Sequence, residues 1–420
     1  MHSTLYNSTL KKGRVRVFEK KVTKYTATLL KLLKKNDYST HESSLVVPSD
    51  DAYQKEIIKS LARFKGIKHV VLVGIGGSSL GTEAVYRALA FKTSPSLIVL
   101  DTINAESIQQ FENCVKECTK AKDIVLVIVS KSGTTTETMM NATKVLEIAE
   151  KKFGEAFTSQ TIFIGDKNSP FYKIGKKKKI LCFYLPEIIG GRYSVFTAVG
   201  IVPLTLLGID TISLREGAAS ILAKKELSQA AERALTLAIH AEEGMHTVNF
   251  FTFNERLTLI GFWYRQLLAE SIGKNMTTKG TTFSHQLLPI VSTKADLHSM
   301  TELYLGGYKN MYTHFVSYDE SHPFHLLSKH WLLEQLPFLK TKTSTEVNEA
   351  IKSGVIQAYE DQKLPYRITE LEKCTAYEIG KLLASLMAEM MYLAHILDID
   401  PFHQPSVELY KKHTRTILNS

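Results

Sequence analysis

Cysteine is scarce in this chain, and what is missing around it narrows the chemistry first. The 420 residues hold four cysteines, Cys114, Cys118, Cys182 and Cys374, with no CxxC pair. By spacing alone they give neither a disulfide framework nor a zinc ligand set, so a reducing compartment is expected. Neither Cys114 nor Cys118 has a histidine close by in sequence, and no HExxH or clustered His/Cys/carboxylate set occurs; no metal or other cofactor is expected, and the two thiols read as structural. Also lacking is a long uncharged apolar run. The most apolar segment, Ile379 to Leu397, carries Lys381, Glu389 and His395, which are costly in a bilayer, so it reads as a core helix. The first residues, Met1 to Asn7, have no apolar core of signal-peptide length, and Lys11, Lys12, Arg14 and Arg16 follow closely. Secretion is not expected; a cytoplasmic location is.

What is present is ordinary globular material: 44% apolar against 22% charged residues, enough for two or three domains with a large core. A formal charge of +10 raises the question of nucleic acid, and Lys176 to Lys179 is the densest basic run. That run precedes the apolar Ile180 to Tyr184 and reads as a solvated loop before a strand, with no nucleic-acid-binding signature beside it. An anionic small molecule would gain from the same field.

Residues 1 to about 60 read as helical and polar, with Thr26 to Lys35 the clearest amphipathic piece. From His69 onward short Val- and Ile-rich runs alternate with helical stretches: His69 to Val73, Ser96 to Leu100, Asp123 to Val129, Thr161 to Ile164 and Ile180 to Leu185. This pattern predicts a parallel sheet covered on both faces. A helical zone from Arg215 to Gly244 leads to further strands at Thr247 to Phe253, Gln286 to Val291 and Met311 to Ser317. Helices are expected at Leu257 to Ser271, near Leu326 to Leu336 before Pro337, and at Ala376 to Leu397 before a basic tail. The expected division is a helical segment 1–60 and two α/β units, 61–215 and 216–420, tightly packed with a cleft between them.

Two turns carry the chemistry. Ser130-Lys131-Ser132-Gly133-Thr134-Thr135-Thr136-Glu137-Thr138 follows a buried strand and opens a helix, so hydroxyls and free N–H groups converge where an oxyanion is favoured. Thr134 and Glu137 also fit a capping box that would merely start the helix. The strand at His69 runs into Gly74-Ile75-Gly76-Gly77-Ser78-Ser79-Leu80-Gly81. Asp101 at the end of the next strand would suit a dinucleotide fingerprint, but Ser79 stands at its third glycine position. Two oxyanion-type turns on one sheet imply one ligand at the carboxyl ends of the strands, and a sugar phosphate fits.

These paired turns resemble those of sugar isomerase domains, and Glu187-Ile188-Ile189-Gly190-Gly191-Arg192-Tyr193-Ser194 narrows the resemblance to the glucose-6-phosphate isomerase family. Three more segments match in the family's order: Trp263 to Lys274, containing Gln266, Glu270 and Ser271; Asp296-Leu297-His298-Ser299; and Pro401 to Lys411. Together they span residues 74 to 411, and the length is similar to that of compact bacterial members.

The resemblance implies two αβα sandwich subdomains with mainly parallel sheets, N-terminal helices and a C-terminal helical tail. It implies reversible aldose–ketose isomerisation of glucose 6-phosphate and fructose 6-phosphate through an enediolate, a step of glycolysis and gluconeogenesis. Glu270 is then the base, Arg192 stabilises the enediolate, and His298 with Lys411 opens the sugar ring. The histidine of this family comes from the neighbouring subunit, so a homodimer with shared sites is implied. Ser130, Ser132 and Thr135 become phosphate ligands, assisted by Lys131, with Gly77 and Ser78 facing them; Gln266 and Gln404 hold sugar hydroxyls or phosphate. Glu137 is left a capping or supporting role, since a carboxylate repels phosphate.

The chain departs from the pattern at Ser406, where a glycine is common, at His403, where an acid or its amide is usual, and at Glu302, which replaces a frequent glutamine. An isomerase also accepting mannose 6-phosphate and a non-catalytic sugar-phosphate sensor are the other readings. Glu270 argues against the sensor.

Overall fold

The Val- and Ile-rich runs do form strands, and they sort into two five-stranded sheets. The computed structural model describes residues 1–6, 12–35, 37–90, 95–320, 322–326 and 330–420. In chain order the strands are β1 (His2–Tyr6), β2 (His69–Val73), β3 (Ser96–Leu100), β4 (Ile124–Val129), β5 (Thr161–Gly165), β6 (Leu181–Tyr184), β7 (Thr247–Thr252), β8 (Leu288–Thr293), β9 (Met311–Tyr318) and β10 (Tyr366–Leu371).

The first sheet has the order β3-β2-β4-β5-β6 and is wholly parallel. All six residues of β4, Ile-Val-Leu-Val-Ile-Val, are buried, as a central strand covered by helices on both faces requires. The chain winds outward from β2 to β3, then returns past β2 to β4. The crevice between the carboxyl ends of β2 and β4 is therefore the switch point, and the glycine loop and the Ser130 turn both open there.

The second sheet has the order β1-β10-β9-β7-β8, parallel except for the antiparallel edge strand β1. Two of these strands escape a reading of the sequence. β1 lies in the segment expected to be helical, and β10, Tyr-Arg-Ile-Thr-Glu-Leu, carries charges that mask a strand pattern. The charge in β10 is paired inside: buried Arg367 donates from Nη1 to Glu389 Oε1 at 2.8 Å. The helix Ser344–Asp361, started by a Thr343/Glu346 capping box, was not expected either. Instead of a continuous helix near Leu326 to Leu336, the described residues form two 3₁₀ turns, Trp331–Glu334 and Pro337–Thr341. Trp331, Leu332, Leu336 and Phe338 there are exposed and Leu333 alone among the described residues of this stretch is buried, too little to hold a helix; residues 327–329 lie outside the described residues.

The helical zone splits into Thr211–Ser220 and Lys224–Glu242, and both pack on Ala376–Ile396. Two glycines permit that crossing: a Cβ on Gly217 would sit 1.9 Å from Tyr377 O, and one on Gly380 would sit 1.9 Å from Leu214 O. Ala376–Ile396 is long and apolar enough to cross a membrane, but 89% of its most apolar window is buried within the protein. Its Glu389 is fully buried and accepts from both Arg233 and Arg367. Between the two sheets, the helix Thr258–Ile272 packs against Leu80–Leu89, where Gly81 leaves room for Trp263. This contact sets the cleft.

Candidate functional site

Gln266 and Glu270 lie four residues apart on Thr258–Ile272 and so share one face. Gln266 Nε2 donates to Glu270 Oε1 at 2.8 Å, and Arg192 Nη1 donates to Glu270 Oε2 at 3.1 Å. The Glu270 side chain is 28% exposed while that of Arg192 is buried, so the carboxylate faces the cleft with a cation behind it.

Arg192 reaches this place through a short turn. Gly190 to Tyr193 follows β6 and packs backbone-to-backbone on the glycine loop after β2: a Cβ on Gly77 would lie 2.2 Å from Gly191 C. Glycine at 77 is thus demanded by the protein's own packing. Ser194 Oγ donates to Gly191 O at 2.7 Å and lies 3.3 Å from Gly77 O, which ties the two turns. The rest of the guanidinium is saturated: Nε donates to Ser271 Oγ at 2.9 Å, and Nη2 to the carbonyls of Pro401 and Phe402. Tyr193 OH shares the same Ser271 hydroxyl at 2.9 Å. A planar five-donor cation can meet four partners at once; a lysine could not.

Lys131 Nζ does not point into the turn it belongs to. It donates to Glu187 O at 2.5 Å and Ile189 O at 3.4 Å, which holds the Arg192 turn against the Ser130 turn, and burial lowers its pKa. The backbone of the Ser130 turn is closed internally: Ser130 Oγ accepts from Gly133 N at 3.1 Å, and Ser132 Oγ accepts from Thr134 N at 3.2 Å. The capping box expected from Thr134 and Glu137 is not formed. Thr135 is the N-cap of Thr136–Phe153 and its hydroxyl makes no capping bond. Its oxygen and the first N–H groups of an 18-residue helix are consequently left for a ligand.

A cavity of about 270 Å³ opens on that helix start. Ser132, Thr135 and Glu137 line one wall, and Glu408, Lys411 and Arg415 of the terminal helix Pro405–Leu418 line the other. Lys411 Nζ donates to Glu408 Oε1 at 2.8 Å, and Lys411 together with Arg415 keeps the Glu408 carboxyl below its ordinary range. Arg415 Nη2 lies 3.5 Å from Thr134 Oγ1. Gln404 stands just before this helix, half-buried. Ser406 falls in its first turn, where a glycine's freedom is not needed; His403 pairs with Asp400 at 2.5 Å.

Of the residues singled out in the sequence, Arg192, Gln266 and Glu270 are joined directly, and Gly77 and Lys131 hold the turns around them. Ser132, Thr135 and Lys411 meet at the cavity, while Ser78 closes the glycine loop. His298 is not brought to them. It is exposed, on a 3₁₀ turn after β8, without a bond to this cluster among the described residues.

Two neighbours went unread. Lys274, four residues after Glu270, donates to Glu270 O at 2.6 Å; burial and then the Arg192 charge bring its ammonium down to about 8. Arg415 stands four residues after Lys411. In both cases the i, i+4 spacing was the available signal.

The profile of the phosphoglucose isomerase family matches residues 57–420. The chain belongs to the phosphoglucose isomerase family. Among its relatives, a glucose-6-phosphate isomerase of Mycoplasma capricolum is 32% identical over 84% of this chain and 83% of its own length. One of Campylobacter jejuni is 30% identical over 84% and 86%. A solved structure from Thermus thermophilus superposes over 99% of this chain and 100% of its own with a TM-score of 0.84 at 23% identity. A Chlamydia trachomatis glucose-6-phosphate isomerase gives 0.81 at 18% identity over 99% and 88%. These last two speak to the fold: it is that of the phosphoglucose isomerase family, two mainly parallel sheets with helices, as the motifs implied.

Proposed function

We propose that this cleft interconverts glucose 6-phosphate and fructose 6-phosphate by moving one proton between adjacent carbons. The observation that carries the reading is a single partly exposed carboxylate, Glu270, flanked by Gln266 and backed by buried Arg192. Glu270 takes the proton from C2 of the open-chain aldose, and the electron pair becomes the C1–C2 double bond of an enediolate. As the O2 hydroxyl proton passes to O1, the proton returned to C1 completes the ketose. Arg192 offsets the charge on the enediolate oxygens, so the route needs no cofactor.

The phosphate rests against Ser130, Ser132, Thr135 and the helix start, with Ser78 across from them and Gln266 and Gln404 on the sugar hydroxyls. Lys411, lining the same cavity, acts with a histidine at ring opening. That histidine is His298 of a second copy in a homodimer. Its exposure in the single chain supports this, as do the exposed Phe324, Trp331, Leu332 and Phe338, an apolar group suited to a partner surface. In this reading residues 61–215 carry the phosphate and Arg192, residues 216–420 carry the base, residues 1–60 flank them, and the enzyme is cytosolic.

The test is turnover of fructose 6-phosphate by purified protein, read through a dehydrogenase that oxidises glucose 6-phosphate. A folded protein that binds sugar phosphate without turnover sinks the proposal. Relative rates with mannose 6-phosphate measure how strict the site is.

A further inference from the structure

The thiols that look isolated in the sequence are not isolated in the fold. Cys114 lies in the last turn of the helix Ala105–Glu117, and Cys118 is its C-cap. His69, the first residue of β2, sits beside them, and one ligand atom from each of the three lies within 4.8 Å of the others. Both cysteines are buried and His69 is half-buried, so the cluster has a dry side and a solvent side.

We propose that His69, Cys114 and Cys118 bind one borderline-soft divalent cation, of which zinc(II) is the type, with the fourth position open to water. In a tetrahedral thiolate–imidazole site, metal–sulfur distances of about 2.3 Å and metal–nitrogen distances of about 2.0 Å put neighbouring ligand atoms ~3.5–3.8 Å apart. Binding then requires the two thiol side chains to rotate and close the remaining gap.

Three features of the surroundings favour a cation there. His69 Nδ1 is 2.7 Å from Ser96 Oγ, its partner across β2 and β3; in the tautomer whose Nδ1–H donates to that hydroxyl, Nε2 carries the lone pair a cation needs. The cluster lies at the carboxyl end of a 13-residue helix, the end of the dipole that favours positive charge, which Lys152 Nζ already meets in part by donating to Val115 O and Lys116 O at 2.6 and 2.7 Å. The nearby Lys68 ammonium is engaged elsewhere, 3.2 Å from Asp123 Oδ2. The same Asp123 oxygen accepts from Thr119 and Lys120 N–H groups, which keeps that carboxylate out of the coordination set.

The site is at the amino end of β2, whereas the glycine loop opens at its carboxyl end, so a bound ion would staple the helix to the sheet without touching the cleft. Binding must release the two thiol protons, so affinity rises with pH.

Full-length protein, stripped with a chelator and kept reduced, is titrated with cobalt(II) and then zinc(II). The expected result is one equivalent of cobalt with a thiolate-to-metal charge-transfer band and tetrahedral visible bands, bleached by zinc. Thermal unfolding shifts upward with zinc, and isomerase turnover is unchanged. The band is lost in Cys114→Ala and Cys118→Ala and kept in a Cys182→Ala/Cys374→Ala control. Should the single variants fold poorly, zinc-edge X-ray absorption of the wild-type protein decides: two sulfur scatterers and an imidazole support the site. A band that survives both variants, oxygen and nitrogen ligands alone, or two thiols found joined as a disulfide with no metal taken up overturns it.

Discussion

Arg192 Nη1 and Glu270 Oε2 are 3.1 Å apart, yet the arginine side chain is buried and the glutamate side chain is 28% exposed. A carboxylate held this way, the base in the proposed reaction, keeps one face open to the cleft and one for its counter-charge. Glu270→Gln preserves the shape and one accepting oxygen but puts an amide N–H₂ in place of the other, so it cannot accept from both Gln266 and Arg192, and the basic carboxylate is gone. Turnover should fall by about 10³-fold, within the usual contribution of a positioned base, while binding of a sugar phosphate measured by calorimetry stays within a few-fold.

Arg192→Ala should fail differently. The substitution leaves Ser271, Glu270 and the carbonyls of Pro401 and Phe402 without their shared donor. Stability in a denaturant titration should fall by about 3 kcal/mol, the scale for removing one partner of a buried pair. Activity should be lost even where the variant remains folded. A variant as stable as wild type would show that the guanidinium does not organise the C-terminal segment.

Why part of this was legible and part was not is a matter of sequence distance. β4 announces itself as six apolar residues, and Gln266, Glu270 and Lys274 share a face because 3.6 residues make a turn. Nothing local announces that Arg192 meets the carbonyl of Pro401, 209 residues away, through backbone atoms that any residue could offer. β10 hides for a related reason: its Arg367 reads as surface until Glu389 of another helix is seen to neutralise it. The Thr134/Glu137 pair had the spacing of a capping box, but the N-cap falls one residue later, at Thr135, and the box has no register to form in. Cys114 and Cys118 lacked a histidine only along the chain.

Lys274 gives the pH dependence a sign. Its pKa of about 8 lies below the ordinary lysine value, first through burial and then through Arg192. As pH rises through about 8 the ammonium beside Glu270 loses its charge, so kcat/KM should show an alkaline limb there. Lys274→Arg should move that limb upward. Stability runs the other way: from about pH 8 up to the unfolded lysine value the unfolded chain binds more protons, and this group's contribution to stability rises with pH. Activity falling while thermal stability is gained above pH 8 is the paired signature. A limb unmoved in Lys274→Arg assigns it to another group.

Arg415 faces the Ser130 turn from the terminal helix, 3.5 Å from Thr134 Oγ1 and on the wall opposite Thr135. Unlike Lys411, whose Nζ is bonded to Glu408, it is placed to meet a phosphate without any part in proton transfer. Arg415→Ala should raise KM roughly tenfold, the loss of about one charge-assisted hydrogen bond, with kcat nearly unchanged. High salt should narrow the difference between variant and wild type. Equal KM values would place the phosphate away from this helix.

The exposed position of His298, apart from Glu270 and Arg192 in its own chain, makes the proposed sharing of the site between two copies testable by mixing. Glu270→Gln and His298→Ala homodimers should each be nearly inactive. If each site takes its base from one chain and its histidine from the other, a heterodimer of the two variants has one doubly defective site and one intact site. Denaturing and refolding an equal mixture should then restore roughly a quarter of wild-type activity, since half the dimers are mixed and each has one working site of two. If His298 served its own chain, every site in the mixture would carry a defect and nothing would be regained. Restoration with wild-type KM ties the exposed histidine of one copy to the carboxylate of the other; silence in the refolded mixture shows that the histidine does not cross between copies.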